Sequence, residues 1–122
     1  MTARVQPAED AFELVARVDE LPEEGLLSVS RSNGDRICLA RKDGRIYALA
    51  DACTHQEFPM VEGILHSSDG RCVIECIWHG ARFDCATGEA LRQPAVDPLP
   101  TYAVRVHEGG IYVGGPVAGP PR

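Results

Sequence analysis

Turn-forming dipeptides recur along the chain and separate short apolar segments. Asn33-Gly34, Asp43-Gly44 and Asp69-Gly70 each lie between two segments of four to eight residues, and Gly109-Gly110 lies between two more. Two-residue loops of this type favour tight β-hairpins. Short segments with alternating polarity and regular turns predict an all-β fold, an antiparallel sandwich or barrel with little helix.

Three segments are less regular. Residues 7–18 fit a helix or an opening strand equally well, and residues 19–25 are polar and predict a turn. Residues 91–101 contain Pro94, Pro98 and Pro100. Because proline cannot donate to a strand ladder, this segment is predicted to be a loop.

The length of 122 residues suits one domain, which we predict over residues 11–113, with tails at 1–10 and 114–122. A chain of this size buries about two-thirds of its unfolded surface in one core. With 12 Lys and Arg against 18 Asp and Glu, the net charge is −6. This balance argues against nucleic acid or anionic lipid as a partner, and basic proteins are expected instead.

A cytoplasmic location is expected from two further features. No apolar run approaches the ~20 residues of a membrane span, and the first ten residues lack the apolar core of a secretory signal. The five cysteines are then expected to be metal ligands or buried thiols and not a disulfide framework.

Two short motifs each combine a cysteine with a histidine. Cys53 and His55 form a Cys-x-His motif, and Cys76 and His79 form a Cys-x-x-His motif, each after an apolar segment that can hold a loop rigid. Two thiolates and two imidazoles fit either a tetrahedral zinc site or a 2Fe-2S cluster. Common zinc fingers pair Cys with Cys and His with His, so the mixed motifs favour the cluster.

The double motif resembles Rieske iron–sulfur proteins. Twenty residues separate His55 from Cys76, a few more than in related ferredoxins, and Gly80 follows the second histidine. The resemblance extends from Phe12 to Val113. Over this range the sequence resembles the soluble Rieske-type ferredoxins of bacterial ring-hydroxylating dioxygenase systems. It implies a small cluster-binding subdomain with one 2Fe-2S cluster. By the family pattern, Cys53 and Cys76 bind one iron and His55 and His79 bind the other.

Two features of the Rieske proteins of cytochrome bc-type complexes are missing from this sequence. The positions that match their disulfide are Phe58 and Trp78, and the positions that match their Ser and Tyr hydrogen-bond donors are Ala81 and Phe83. Donors to cluster sulfur stabilise the reduced state. Their loss predicts a reduction potential at the low end of the Rieske range of about −150 to +300 mV.

The resemblance implies an electron carrier and not an enzyme. Its expected partners are a flavin-dependent NAD(P)H ferredoxin reductase and a terminal oxygenase, and a monomer is expected. Pro94 and Ala95 resemble the proline loop that shields the cluster, although a rigid connector explains them equally well. Two alternatives stay open: a small subunit of assimilatory nitrite reductase and a zinc-stabilised binding module.

The remaining candidate residues are expected to be structural. Cys38, Cys72 and Cys85 are predicted to be buried thiols, with a disulfide of Cys72 or Cys85 as the alternative. His66 and His107 are predicted to lie on the surface. The acidic residues around the motifs are predicted to form a mostly solvated surface: Glu57, Glu62, Glu75, Asp84 and Glu89.

Overall fold

The computed structural model describes residues 12–51, 59–77, 80–92 and 98–116. Within these residues the chain forms ten strands and two short 3₁₀ helices. The strands are β1 (Glu13–Arg17), β2 (Gly25–Ser30), β3 (Arg36–Lys42), β4 (Arg45–Ala50), β5 (Ile64–Ser68), β6 (Arg71–Glu75), β7 (Arg82–Asp84), β8 (Ala90–Arg92), β9 (Thr101–His107) and β10 (Gly110–Pro116). The 3₁₀ helices are Val18–Glu20 and Met60–Glu62, and none of the described helices is long and apolar enough to cross a membrane.

The strands form two antiparallel sheets. The large sheet has six strands in the order β1-β10-β9-β4-β3-β2, and the small sheet has four in the order β5-β6-β7-β8. The described strand pairs are all antiparallel. The predicted all-β antiparallel fold is confirmed.

Three of the four predicted turn dipeptides lie between consecutive strands as expected, but only Asp43-Gly44 and Asp69-Gly70 form two-residue turns. The β2–β3 loop is longer than predicted: the Arg31 N–H donates to the Asp35 carbonyl at 2.9 Å, and Gly34, unlike Asn33, has a positive φ. At the β3–β4 turn, Asp43 and Gly44 have φ of 53° and 78°, as a tight hairpin between right-twisted strands requires. The fourth prediction is wrong by one residue. The turn between β9 and β10 is Glu108-Gly109, and Gly110 already pairs with His107 in the sheet.

The less regular segments are now assigned. The opening segment contains the strand β1, which pairs with β10. Residues 91–101 are not wholly a loop, because Leu91 and Arg92 end β8 and Thr101 begins β9. β10 continues to Pro116, three residues past the domain boundary expected at Val113. The division into one domain over residues 11–113 remains a prediction.

Alternation along β3 places apolar side chains on both faces of the large sheet. Ile37 and Leu39 pack in a core formed within the large sheet, with residues of β1, β4 and β10. Cys38 and Ala40 pack in a second core with the small sheet. The second core contains Leu49, Met60, Cys72, Ile74, Cys76, Ala81, Phe83, Cys85 and Leu99, so it joins the two sheets.

Candidate metal centre

One of the four predicted ligands, Cys76, lies within the described residues. Cys53, His55 and His79 lie outside them, as do Phe58, Trp78, Pro94 and Ala95. Among the described residues alone, no group of three or more His, Cys, Asp and Glu could hold a metal ion. The structure therefore describes the frame of the predicted site.

Residues 76–81 connect β6 to β7 and contain the second Cys/His motif; we call them the second ligand loop. At its base the Cys76 N–H donates to the Ala81 carbonyl at 2.7 Å, and the Gly80 N–H donates to the Cys76 carbonyl at 3.1 Å. Gly80 has φ of +73°, a conformation in which glycine avoids strain. Cys76 is fully buried in the core between the sheets. A buried cysteine sulfur at the base of a loop whose ends are hydrogen-bonded together is well placed to bind a cluster iron as a thiolate.

Residues 52–58 contain the first Cys/His motif; we call them the first ligand loop. This loop lies outside the described residues, but both of its ends are described. Asp51 precedes it, and its fully buried carboxylate accepts hydrogen bonds from the Ser28 hydroxyl at 2.8 Å and the Val61 N–H at 2.9 Å. The Arg36 guanidinium lies 3.5 Å from the same carboxylate. Asp51 therefore ties the two flanks of the first ligand loop together.

Glu75 has a similar place before the second ligand loop. Its Oε1 lies 2.6 Å from Nε2 of His66 and 3.2 Å from Nε of Arg82. The Glu75 side chain is 18% exposed. Glu75 and Arg82 are register partners in β6 and β7, so their ion pair closes the base of the loop.

The flanks of the two ligand loops also meet each other. A Cβ atom on Gly63 would overlap the carbonyl oxygen of Glu75, and the Gly63 N–H donates to the Met60 carbonyl at 2.9 Å. Glycine therefore allows the chain leaving the first loop to lie directly against the chain entering the second.

The two positions expected to lack hydrogen-bond donors are both buried. Ala81 and Phe83 have no exposed surface and pack in the same core as Cys76. Neither side chain carries a donor. Neither of these two buried positions therefore provides a side-chain donor, as the prediction of a low reduction potential assumes.

The remaining cysteines divide into one thiol and one disulfide. Cys38 is fully buried, and burial together with the nearby negative charge of Asp51 raises the pKa of its thiol. It is a protonated, unreactive thiol, as predicted. Cys72 and Cys85 are also buried, but they form a disulfide, so the expectation of separate thiols is wrong. They occupy opposed positions on the β6 and β7 chains, with Cα atoms 5.4 Å apart.

The surface residues follow the sequence prediction in part. Glu62, Glu89 and His107 are exposed as expected, whereas His66 is half-buried against Glu75. Asp84 is buried, and its carboxylate accepts hydrogen bonds from the N–H groups of Ala86 at 2.8 Å and Thr87 at 3.0 Å, which allow the acid to be buried. Sequence reasoning missed Asp51, although a lone acid at the end of an apolar strand was an available signal. Glu57 lies outside the described residues.

Comparison with known proteins gives a consistent family. The model of the Rieske [2Fe-2S] domain matches residues 11–103. The 3-phenylpropionate/cinnamic acid dioxygenase ferredoxin subunit of Photorhabdus laumondii is 39% identical over 99 residues, which cover 81% of this chain and 90% of that protein.

Two solved structures show the same architecture. One is a complex of reduced oxygenase and oxidized ferredoxin in carbazole 1,9a-dioxygenase, in which the matching chain is 31% identical with a TM-score of 0.74, covering 86% of this chain and 94% of that one. The other is a putative NADH-dependent nitrite reductase small subunit from Mycobacterium tuberculosis, 26% identical with a TM-score of 0.77, covering 88% and 96%.

The two TM-scores are nearly equal, so the fold alone does not separate dioxygenase ferredoxins from nitrite reductase subunits. The sequence motif, the domain match and the fold all indicate the same family. The chain belongs to the Rieske [2Fe-2S] family, and its cofactor is one 2Fe-2S cluster.

Proposed function

We propose that this protein is the ferredoxin of a multicomponent ring-hydroxylating dioxygenase system. It carries single electrons and performs no chemistry on the aromatic substrate. The observation that carries the proposal is the 39% identity to a dioxygenase ferredoxin subunit over 90% of that protein's length. A match of that extent covers nearly the full length of the relative and not a shared motif alone.

Cys53 and Cys76 are proposed to bind one iron, and His55 and His79 the other. Support comes from the one described ligand, since Cys76 is buried at the base of a closed loop next to the flank of the first ligand loop. When bound, the cluster supplies reversible one-electron transfer. Replacing His55 or His79 with Ala is expected to abolish the Rieske spectrum, and an unchanged spectrum would refute the ligand assignment.

A terminal oxygenase is proposed as electron acceptor and a flavin-dependent NAD(P)H reductase as electron donor. A related ferredoxin is solved together with its oxygenase, which supports the first of these partners. Ile77 in the second ligand loop is 50% exposed, and Ile64 on the neighbouring strand is 49% exposed. These apolar side chains offer contact area beside the predicted cluster. We further propose a cytoplasmic monomer.

One second candidate has a specific observation in its favour. The structural likeness to a putative nitrite reductase small subunit supports a role in that class of enzyme. The identity of 26% to that subunit is lower than the 39% to the dioxygenase ferredoxin subunit. The zinc-stabilised module predicted as a third possibility is set aside, because the family assignment gives an iron–sulfur cofactor.

The purified protein tests the proposal in two stages. The visible spectrum should bleach on addition of dithionite, and the reduced protein should give the paramagnetic signal of a Rieske cluster. The reduced protein is then mixed with a terminal ring-hydroxylating oxygenase or with a sirohaem nitrite reductase, and reoxidation is followed by stopped-flow absorbance. Rapid reoxidation by the oxygenase alone is expected. Rapid reoxidation by the nitrite reductase alone would favour the second candidate.

A further inference from the structure

An acidic residue precedes each ligand loop, and no sequence motif predicts this arrangement. Asp51 comes immediately before the first ligand loop, and Glu75 comes immediately before the second. Each carboxylate bonds to a residue that follows its loop: Asp51 to the Val61 N–H and Glu75 to the Arg82 guanidinium. Asp51 has two further partners, Arg36 and Ser28, and Glu75 has one, His66. The repetition on two different sheets points to a shared purpose.

The Asp51 carboxylate has no exposed surface, so its position requires specific partners. Burying an acid without hydrogen bonds costs several kcal/mol. Its three partners come from three elements: Ser28 from β2, Arg36 from β3 and Val61 from the 3₁₀ helix after the loop. Asp51 thereby fixes both flanks of the first ligand loop to the large sheet.

The Glu75 carboxylate fixes the second loop within the small sheet. Its partners are His66 on β5 and Arg82 on β7, on the two strands that flank β6. A Cβ atom on Gly80 would lie 3.4 Å from Oε2 of Glu75, so the carboxylate also lies close to the loop backbone beside His79. Its backbone carbonyl meets Gly63, which follows the first loop.

We propose that Asp51 and Glu75 are positioning residues, one for each ligand loop, and that they hold the two ligand pairs in the relative placement that a single cluster requires. Their hydrogen bonds keep the loop ends together, and their negative charges lie beside the site and disfavour addition of an electron. The inference rests on the proposed function, because it takes residues 53, 55, 76 and 79 as the ligands.

The test compares alanine and amide variants at both positions with matched variants of a distant acid. Glu13 on β1 of the large sheet is a suitable control, because its carboxylate accepts hydrogen bonds from the N–H of Ser32 at 2.9 Å and from its hydroxyl at 3.3 Å, and pairs with Arg31 at 3.8 Å. The substitutions are Asp51→Ala, Asp51→Asn, Glu75→Ala, Glu75→Gln, Glu13→Ala and Glu13→Gln.

Cluster retention is measured as bleaching in the presence of an iron chelator. Asp51→Ala and Glu75→Ala should lose the cluster about 10-fold faster than Glu13→Ala, the usual scale for groups that orient metal ligands. Glu75→Gln should bleach at nearly the wild-type rate, because its amide oxygen can replace Oε1, which faces both His66 and Arg82. Asp51→Asn keeps only one of the two acceptor oxygens, so it should bleach faster than the wild type and more slowly than Asp51→Ala. Alanine variants that bleach at the Glu13→Ala rate would overturn the proposal, as would amide variants that bleach as fast as the alanines.

The reduction potential separates positioning from simple loss of stability. Asp51→Asn and Glu75→Gln remove a negative charge next to the site, so their potentials should rise more than that of Glu13→Gln; equal potentials would overturn the electrostatic part. If Asp51→Ala does not fold by circular dichroism, Asp51→Asn and the Glu75 pair decide. A wild-type protein without a Rieske signal would refute the proposed function instead.

Discussion

The two sheets of this protein are organised by different interactions. Strands of the large sheet are five to seven residues long, whereas β7 and β8 of the small sheet have three residues each. The large sheet encloses a core of its own. The small sheet shares its core with the large one and is cross-linked by a disulfide and by ion pairs on β5, β6 and β7.

This difference shows where stability and function are separated in the molecule. The six strands of the large sheet enclose a core that buries apolar surface without the small sheet. In the small sheet β5 and β6 have five residues each but β7 and β8 have three, so this sheet depends on cross-links, on the large sheet and, by our proposal, on the cluster. Changes in the large sheet away from the ligand loops are therefore expected to affect stability alone, whereas changes next to either ligand loop are expected to affect the cofactor as well.

The largest effect is expected from replacing one of two buried cysteines. Cys76→Ala should abolish the Rieske absorption and paramagnetic signal, because it removes a proposed ligand from the small sheet. Cys38→Ala is the matched control: an equally buried thiol of the same core, on the large sheet, whose loss should cost about 1 kcal/mol of stability and leave the signal intact. Loss of the signal in Cys38→Ala, or its survival in Cys76→Ala, would contradict the division between the sheets.

Sequence reasoning was most successful for the large sheet, for a physical reason. Turns such as Asp43-Gly44 are encoded by two adjacent residues, so they can be recognised without knowledge of the fold. The turn predicted at Gly109-Gly110 was misplaced by one residue, because glycine can occupy either position of a two-residue turn. The pairing of Gly110 with His107 in the sheet shows that Gly110 already belongs to β10. The prediction for β1 was ambiguous for a different reason: its partner strand β10 lies almost one hundred residues away in the sequence.

The small sheet was predicted less well because β6, β7 and β8 are not joined by two-residue turns that the sequence reveals. The Cys/His spacing revealed the family and the kind of cofactor, which depend on motif residues alone. It did not reveal that Cys72 meets Cys85, that Asp84 is buried, or that Glu75 lies between His66 and Arg82. The Cys72–Cys85 and Glu75–Arg82 contacts depend on the register of β6 against β7, and these strands are joined by the second ligand loop, which carries no turn signal that would fix the register.

The second prediction concerns the disulfide, which closes a loop that contains the whole second ligand loop. Cys72 and Cys85 are 13 residues apart, and closing a loop of about this length stabilises a protein by about 3 kcal/mol in the chain-entropy model. Urea unfolding with and without a thiol reductant should differ by about that amount. The Cys72→Ala/Cys85→Ala variant should be insensitive to the reductant.

Identical unfolding curves for the wild type with and without reductant would show that the cross-link contributes nothing. A titration of accessible thiols in the denatured, non-reduced protein is the control. It should detect fewer thiols in the wild type than the same titration after reduction. Equal thiol counts would contradict the disulfide itself.

A third, smaller effect is expected on the reduction potential. Ala81→Ser with Phe83→Tyr introduces two hydroxyl donors at buried positions of the core that contains Cys76. At about 1 kcal/mol per hydrogen bond, each would raise the potential by about 40 mV, since 59 mV corresponds to about 1.4 kcal/mol for one electron. Protein-film voltammetry of the two single variants and the double variant measures the change. A constant or falling potential would refute the explanation of the low potential by missing donors.

The smallest effect is expected from a surface ion pair of the large sheet, in which Glu24, just before β2, lies 2.6 Å from Lys42 at the end of β3. The Asp43 N–H, which donates to Glu24 at 2.8 Å, and Lys42 together lower the pKa of Glu24 below its ordinary value of 4.5. The pKa of Lys42 is raised by the same pair.

A lowered carboxyl pKa contributes stability above its unfolded value, and this contribution is lost as the pH falls through the folded value. The raised pKa of Lys42 contributes below its unfolded value of 10.5 and is lost as the pH rises through the folded value. Glu24→Gln should therefore lower the urea midpoint slightly at pH 7 and by less at pH 3. Glu23→Gln is the control, since its carboxylate is 84% exposed and lies 3.9 Å from Arg41. A larger loss at pH 3 than at pH 7 would contradict the sign. Because Glu24 and its partner Lys42 are not part of either ligand loop, the Rieske spectrum of Glu24→Gln should be unchanged at both pH values. This result would separate a small effect on the scaffold from an effect on the cofactor.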